Sequence, residues 1–241
     1  MEDNNQIETI AGINVNEEPN HHNHVRFSDL MWYDPKFLEI AIGGVGGIGS
    51  WFATLVSRIG FKSMYLFDMD EIDTTNLGGQ LYSADQVGQR KVDAVAHNIT
   101  QFSSETVNRM DKYTEESAIL PVMVSCFDNM EARKLFFESW CLDPNRKIFI
   151  DGRMVAESFQ IFTVLPGQED RYRETLFEDS EVQEQPCSAK ATSHCGAMIG
   201  SMMVSILTNY MSNHKLKADI REVPFKVEFE IPLLTYTLTQ M

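Results

Sequence analysis

Apolar residues along this chain fall into short compact runs that alternate with stretches at helical spacing. Leu38 to Ile42 is the first run, and glycines follow it at 43, 44, 46, 47 and 49. Ile48, Phe52, Leu55, Val56 and Ile59 then recur at the spacing of one helix face, which predicts a helix through Trp51–Ile59 with Gly60 as its stop. Met64 to Phe67 reads as a second buried strand that halts at Asp68. Val92, Val95, Ala96, Ile99 and Phe102 mark one face of a helix opened by the stretch 83–91. Thr106 to Met110 is a less apolar strand candidate, and Val122 to Cys126 is an apolar run with β-branched residues at Val122 and Val124. A helix over Glu131 to Trp140 and a strand at Lys147 to Ile150 continue the alternation. Strands that alternate with helices imply a parallel sheet covered on both faces, with ligands at the carboxyl ends of the strands.

The C-terminal third has a different pattern. Phe159 to Leu165 predicts a strand, and Glu169 to Glu184 an acidic loop carrying Arg171 and Arg173. A helix is expected from Ser193 through Met198, Ile199, Met202, Met203, Ile206, Leu207 and Tyr210, with its methionine stripe facing the core. Phe225, Val227, Phe229 and Ile231 alternate with Lys226, Glu228 and Glu230, the mark of a strand with one buried face, and a last strand is expected at Leu233 to Leu238. The expected class is α/β: a Rossmann-like, largely parallel sheet with helices on both faces, extended by antiparallel strands in the C-terminal third.

Composition narrows the functions open to such a fold. The 241 residues suit one large domain, expected over 26–241, behind an acidic, Asn-rich tail over 1–25 that has little to bury and is expected to be disordered. Three histidines in that tail, His21, His22 and His24, read as solvated rather than metal-binding. The net charge of −15 argues against a general nucleic-acid binder. No apolar run approaches the roughly 20 residues that span a bilayer. The N-terminus is unlike a signal peptide, so a cytoplasmic protein with no membrane partner is expected. Four cysteines, Cys126, Cys141, Cys187 and Cys195, form no C-x-x-C pair, which removes a zinc site of the paired type. Cys126 and Cys141 read as small buried hydrophobes.

Candidate chemistry starts at the glycines. Gly44-x-Gly46-x-x-Gly49 lies between a strand and a helix, where glycines let the backbone bend and approach a phosphate presented to free N–H groups at the helix start. About 20 residues on, where such units place a ribose-binding acid, the chain has Asp68 and then Asp70; an acid that merely opens a turn is the other reading.

With the later motifs added, the sequence resembles the ThiF/MoeB/HesA family, the adenylating domain shared with ubiquitin-activating enzymes. The likeness runs from Leu38 to Tyr210. It rests on Gly44-Val45-Gly46-Gly47-Ile48-Gly49, Asp68-Met69-Asp70-Glu71-Ile72, Asn76-Leu77-x-x-Gln80, Val87-Gly88-x-x-Lys91 and Asp128-Asn129, in that order. What the resemblance implies is binding of ATP with Mg²⁺ and adenylation of the C-terminal carboxylate of a ubiquitin-like protein or a peptide, in a homodimer. Residues 26–150 would form the nucleotide-binding half and 151–241 the dimer and partner half.

By the same resemblance Asp68, with Asp70 beside it, would hold the ribose and Lys91 the phosphates. Asn76 and Gln80 would orient the triphosphate, and Asp128 would bind Mg²⁺ or position the attacking group. Lys91 also reads as an ordinary exposed lysine at a helix start. Arg26 would be lent across the dimer interface. Cys187, in a polar loop with Lys190 nearby, falls where some members form a thioester or persulfide; an incidental cysteine is the alternative. Cys195 and His194 read as packing residues, with a Cys187–His194 pairing left open.

The chain departs from the family pattern at Gly79, where an arginine usually faces the phosphates. Glycine cannot supply that rigid charged fork, and Arg90, beside Lys91, is the nearest substitute. Two other functions therefore stand beside the adenylating one. One is a degenerate, non-catalytic scaffold subunit. The other is an NAD-dependent oxidoreductase, which shares the glycine turn and the ribose acid but leaves Asn76, Gln80, Lys91 and Asp128 unexplained.

Overall fold

The computed structural model describes residues 29–32, 39–61, 63–103, 106–178 and 192–241. Its strands are β1 (Glu39–Gly43), β2 (Ser63–Phe67), β3 (Thr106–Met110), β4 (Val122–Ser125), β5 (Ile148–Val155), β6 (Ser158–Val164), β7 (Lys226–Glu230) and β8 (Thr235–Thr239). They form one eight-stranded sheet in the order β3-β2-β1-β4-β5-β6-β7-β8. Pairing is parallel from β3 to β5 and antiparallel from β5 to β8, as the two halves of the sequence pattern require. The chain order reverses beside β1: β2 pairs on one side of it and β4 on the other, in a register that aligns Gly43 with Phe67 and with Ser125. The carboxyl ends of these three strands therefore lie level and open one crevice, the usual place for a ligand in such sheets.

The period of two along each strand sorts side chains between two cores. Ile40, Ile42, Met64, Leu66, Val124 and Ile150 face one layer, built from α1 (Gly49–Ser57), α2 (Lys91–Thr100) and α5 (Ser193–Asn213). Ala41, Phe67, Met123 and Phe149 face the other, built from α3 (Met130–Leu142) and α4 (Glu169–Arg173), with Phe136, Phe137, Trp140 and Tyr172 fully buried. The methionines of α5 are core residues: Met203 and Met211 are buried, and Met198 and Met202 pack against the same cluster.

Three expectations change. The stretch before α2 is not part of that helix: it makes a separate 3-10 turn at Ala84–Gln86. Gly88 adopts φ +84°, its N–H bonds to Ile72 O at 2.9 Å, and Arg90 pairs with Glu71 in an isolated antiparallel bridge. The helix therefore starts at Lys91; it ends at Thr100, before Phe102, which is 49% exposed rather than on its buried face. The acidic stretch from Glu169 opens with a short helix, not a loop. Glu169 and Asp170 occupy its first turn and Arg171 and Arg173 its last, which suits the helix dipole, and Arg173 forks onto Glu138 of α3 with two bonds of 2.8 Å. The last strand begins at Thr235, because a 3-10 turn through Pro232 and a left-handed Leu234 (φ 50°) come first.

Helix α5 packs on α1 through glycines. A Cβ on Gly196 would lie 2.4 Å from the carbonyl oxygen of Gly47 and 3.0 Å from the Trp51 ring, and one on Gly200 would lie 3.1 Å from the Phe52 nitrogen. The glycine turn is thus supported from behind by the C-terminal helix. Gly196→Ala is expected to lower stability by about 1–3 kcal/mol through overpacking against backbone. Gly78→Ala, at a position with nothing within 4 Å, is the matched control, and urea unfolding of both variants checks the difference.

Candidate functional site

The crevice is walled by three chain segments that hold one another. Gly44 N–H donates to Phe67 O at 2.8 Å, and Cys126 N–H donates to Gly43 O at 2.7 Å. Gly44 takes φ +80°, and a Cβ there would meet Cys126 O at 2.8 Å; a Cβ on Gly49 would lie 1.9 Å from Gly44 O. Two glycines of the motif are therefore demanded by backbone crowding. Gly46 differs: the nearest atoms to a Cβ there belong to the Gln80 amide, at 3.8 Å and beyond. Behind the turn, α1 starts without a side-chain cap and without an acidic residue in its first turn, so its N-terminal N–H groups suit an anion.

Asp68, at the end of β2, reaches across to this turn. Its carboxylate accepts Val45 N–H at 2.8 Å and Asp70 N–H at 2.9 Å. Burial pushes its pKa up, the two N–H bonds and the Lys91 charge pull it down, and burial prevails. Each carboxylate oxygen has a second lone pair, so a ribose hydroxyl can still donate to it. Tyr82 locks the same turn, its hydroxyl donating to Val45 O at 2.5 Å.

Lys91 is buried, not the exposed helix-start lysine of the plainer reading. Its ammonium group donates to Asp70 Oδ2 at 2.8 Å, and its backbone N–H donates to Asp70 O at 2.9 Å. Asp70 is thus the residue that aims Lys91. The structure assigns Arg90 elsewhere: its guanidinium pairs with Asp111 and, at 3.8 Å, with Asp93, so it is engaged by carboxylates rather than standing in for the arginine that Gly79 lacks.

Asn76 lies within a 3-10 turn (Thr74–Gly78), and Gln80 follows it. Asn76 Oδ1 accepts Asp73 N–H at 2.9 Å in a capping box, which leaves its amide N–H₂ as the group able to meet a ligand. Gln80 Oε1 is buried without a hydrogen-bond partner among the described residues. Gly79 is itself buried, and its carbonyl accepts the Trp51 indole N–H at 3.1 Å, so this position is bound to α1 as backbone.

Asp128 follows β4 and is exposed; its carboxylate accepts from the neighbouring Asn129 side chain at 3.4 Å. Asn129 caps α3 by accepting Ala132 N–H at 2.8 Å. Arg26 and Cys187 lie outside the described residues. Cys195 is buried, with its thiol pushed up to about 11 by that burial, which fits the packing role expected of it. Burial raises the Cys126 thiol too, and pushes half-buried Cys141 up to about 11. His194 is exposed, its Nε2 at 3.2 Å from Glu157 Oε1.

One cluster escaped the sequence reading. Asp151, on β5 and fully buried, accepts Arg133 Nε at 2.7 Å on one oxygen, and Arg153 Nε at 2.7 Å and the Tyr172 hydroxyl at 2.9 Å on the other. Its burial disfavours the charged form, but the two guanidiniums and the Tyr172 bond outweigh that and hold its pKa below the usual value. The available signal was a charged residue inside an apolar β-run, Ile148-Phe149-Ile150-Asp151.

These groups fit a nucleotide. An uncapped helix start, an aimed lysine and an acid at the end of β2 converge on an open glycine, and a partnerless acceptor sits beside it. Among the described residues no group of three or more His, Cys, Asp or Glu side chains could hold a metal alone. A Mg²⁺ held by Asp128 would therefore share phosphate oxygens, as that ion commonly does.

Comparison with known proteins identifies the family of the chain. A model of the ThiF family matches residues 34–232. Ubiquitin-like modifier-activating enzyme 5 of Aedes aegypti is 26% identical over 209 residues, covering 75% of this chain and 52% of the relative. The enzyme of the same name from Drosophila mojavensis is 27% identical over 202 residues, covering 72% and 50%. The chain spans about half the length of the curated relatives it matches. Among solved structures, E. coli MccB with MccA-N7isoASN superposes with a TM-score of 0.70 at 14% identity, covering 88% of this chain and 67% of that one. MccB with ATP gives 0.69 at 16% identity, covering 88% and 66%. At such identity the structural likeness is one of fold.

Stability should depend on pH through the buried cluster. Asp151 has a depressed pKa, so its contribution is present above its unfolded value of about 3.9 and is lost as pH falls through the folded value. Asp68, with a raised pKa, acts in the opposite sense: its ionised form costs stability, and that cost disappears on acidification. Asp151→Asn is expected to cost roughly 3–5 kcal/mol at neutral pH, because Arg133 is left buried without its counter-charge, and to flatten the acid limb. Urea midpoints measured from neutral to acid pH check both effects.

Proposed function

The chain belongs to the ThiF family, and we propose that it adenylates the C-terminal carboxylate of a ubiquitin-like protein or a peptide, with ATP and Mg²⁺. The observation that carries this reading is the convergence on one crevice of the glycine turn, Asp68 and the Asp70-aimed Lys91. The relatives named above, ubiquitin-like modifier-activating enzymes and an MccB solved with ATP, support the substrate class. Family membership also favours it over nicotinamide chemistry.

Bound MgATP supplies an electrophilic α-phosphorus, to which a carboxylate oxygen bonds as pyrophosphate leaves. The residues answer the electrostatic difficulty of bringing anions together. Lys91 offsets phosphate charge from a buried position, where its ammonium is screened less than it would be in water. The N–H groups at the start of α1 add donors. Asp68 fixes the turn and takes the ribose, and Asn76 and Gln80 set the triphosphate against Gly46. Asp128, exposed at the crevice, would hold Mg²⁺ or orient the incoming carboxylate. In this reading the Cys187 thiolate attacks the acyl adenylate to form a thioester as AMP leaves, Arg26 is contributed across a homodimer, and residues 151–241 supply the dimer and partner surface.

A second reading has its own observation. Gly79 is buried and tied to Trp51, and Arg90 is paired with acids, so the phosphate-facing arginine has no replacement among the residues just described. That favours a subunit which keeps the fold without turning ATP over.

Isothermal titration of the purified chain with MgATP separates the two, because binding is expected from the enzyme and none from the scaffold. With candidate proteins ending in Gly-Gly added, ATP–pyrophosphate exchange should appear. Asp128→Ala should reduce it by about 10²-fold or more, as loss of a group acting on transition-state charge does. Exchange by Asp128→Ala at the wild-type rate would show that the role given to Asp128 is wrong. Intact mass with and without thiol reductant reads the thioester on Cys187.

A further inference from the structure

We propose that Arg133 is a positioning residue for Asp128, acting through the carbonyl of Phe127 and anchored by the buried carboxylate of Asp151. The inference rests on the reading of Asp128 as the group that meets Mg²⁺. Arg133 lies on the first turns of α3 and is 5% exposed, where a guanidinium is costly unless its hydrogen bonds are made. Its bonds are directional. Nε goes to Asp151 Oδ1 at 2.7 Å, while Nη2 goes to Phe127 O at 2.5 Å and more weakly to Gly152 O at 3.4 Å. One edge of the fork is thus pinned to β5 and the other grips the residue immediately before Asp128.

The anchor cannot swing. Both Asp151 oxygens are occupied, the second by Arg153 and Tyr172, and Arg153 is itself held by Thr175 O at 2.8 Å and by stacking at 4.3 Å over Phe162. Phe127 is also fixed on its other side. Its ring fills the space where a Cβ on Gly43 would come within 2.3 Å, and it meets Phe136 edge-on at 5.4 Å between centroids. Asn129, just after Asp128, is fixed as the α3 cap. An exposed carboxylate between two immobilised neighbours is what a metal-contacting acid needs, since outer-shell partners govern where such a ligand points. Lysine in place of Arg133 keeps the charge but cannot bond Asp151 and the Phe127 carbonyl from one rigid plane.

The test is titration of the full chain with ATP in the presence of Mg²⁺ and again with EDTA. The ratio of the two affinities reads the Mg²⁺-dependent gain, which a generally loosened fold would not single out. Wild type should show a gain that Asp128→Ala abolishes. Arg133→Lys should lower that gain by about tenfold or more while metal-free ATP affinity stays at the wild-type level. The Arg133→Lys, Asp128→Ala double variant should be no worse than Asp128→Ala alone, as for two residues acting through one contact. Arg153→Lys, which loosens the anchor but leaves the bond to the Phe127 carbonyl, should lower the gain less than Arg133→Lys does. Arg133→Gln is read in the same way, so that a folding failure of one variant leaves the other.

A wild-type gain in Arg133→Lys, additive losses in the double variant, or an equal loss in Arg153→Lys would overturn the inference alone. A wild type that binds no MgATP, or an Asp128→Ala that retains the gain, would remove the reading beneath it and the inference too.

Discussion

The hydrogen bond from Val45 N–H to the Asp68 carboxylate is the contact on which this site depends. It joins the end of β2 to the glycine turn after β1, so the turn is set by a neighbouring strand as well as by its own glycines. The same carboxylate starts a chain that runs through Asp70 N–H, the Asp70 carboxylate and Lys91. One half-buried acid thereby fixes both the backbone cradle and the cation expected beside a phosphate. Holding that acid ionised works against its burial, and local backbone N–H groups and Lys91 supply the opposing interactions.

The second feature is the distribution of charge. The chain carries a net charge of −15, yet buried basic groups stand close behind the crevice. Lys91 is matched by one acid, whereas Arg133 and Arg153 share Asp151. Two guanidiniums on one carboxylate leave a local excess of positive charge at the middle of β5, in surroundings too dry to screen it strongly. A site built for an anionic ligand within an acidic protein needs such local segregation of sign.

Position 79 ties the site to the core through its backbone, a bond any residue there could accept: the Gly79 carbonyl anchors Trp51, and the Trp51 ring lies against Gly196 of α5. The site and the packing of α5 on α1 are therefore connected through one indole.

Much of this was legible along the chain, because periodicity reports which face of an element is buried and glycine reports where backbone must bend or approach. The central strands, the turn at Gly44–Gly49, the acid after β2, the change to antiparallel strands and the family itself follow from such local signals. The segment before α2 misled because its polar residues also suit a helix start; its bonds to Ile72 and Glu71 come from a different part of the chain. The pairing of Lys91 with Asp70, the capture of Arg90 by Asp111 and the Asp151 cluster are of the same kind. Each joins side chains from separate elements, and which side chains meet is decided by strand order and helix packing. A sequence states the charges it carries, but only the fold brings a buried acid to a particular guanidinium, since desolvation makes that pairing obligatory once both are inside.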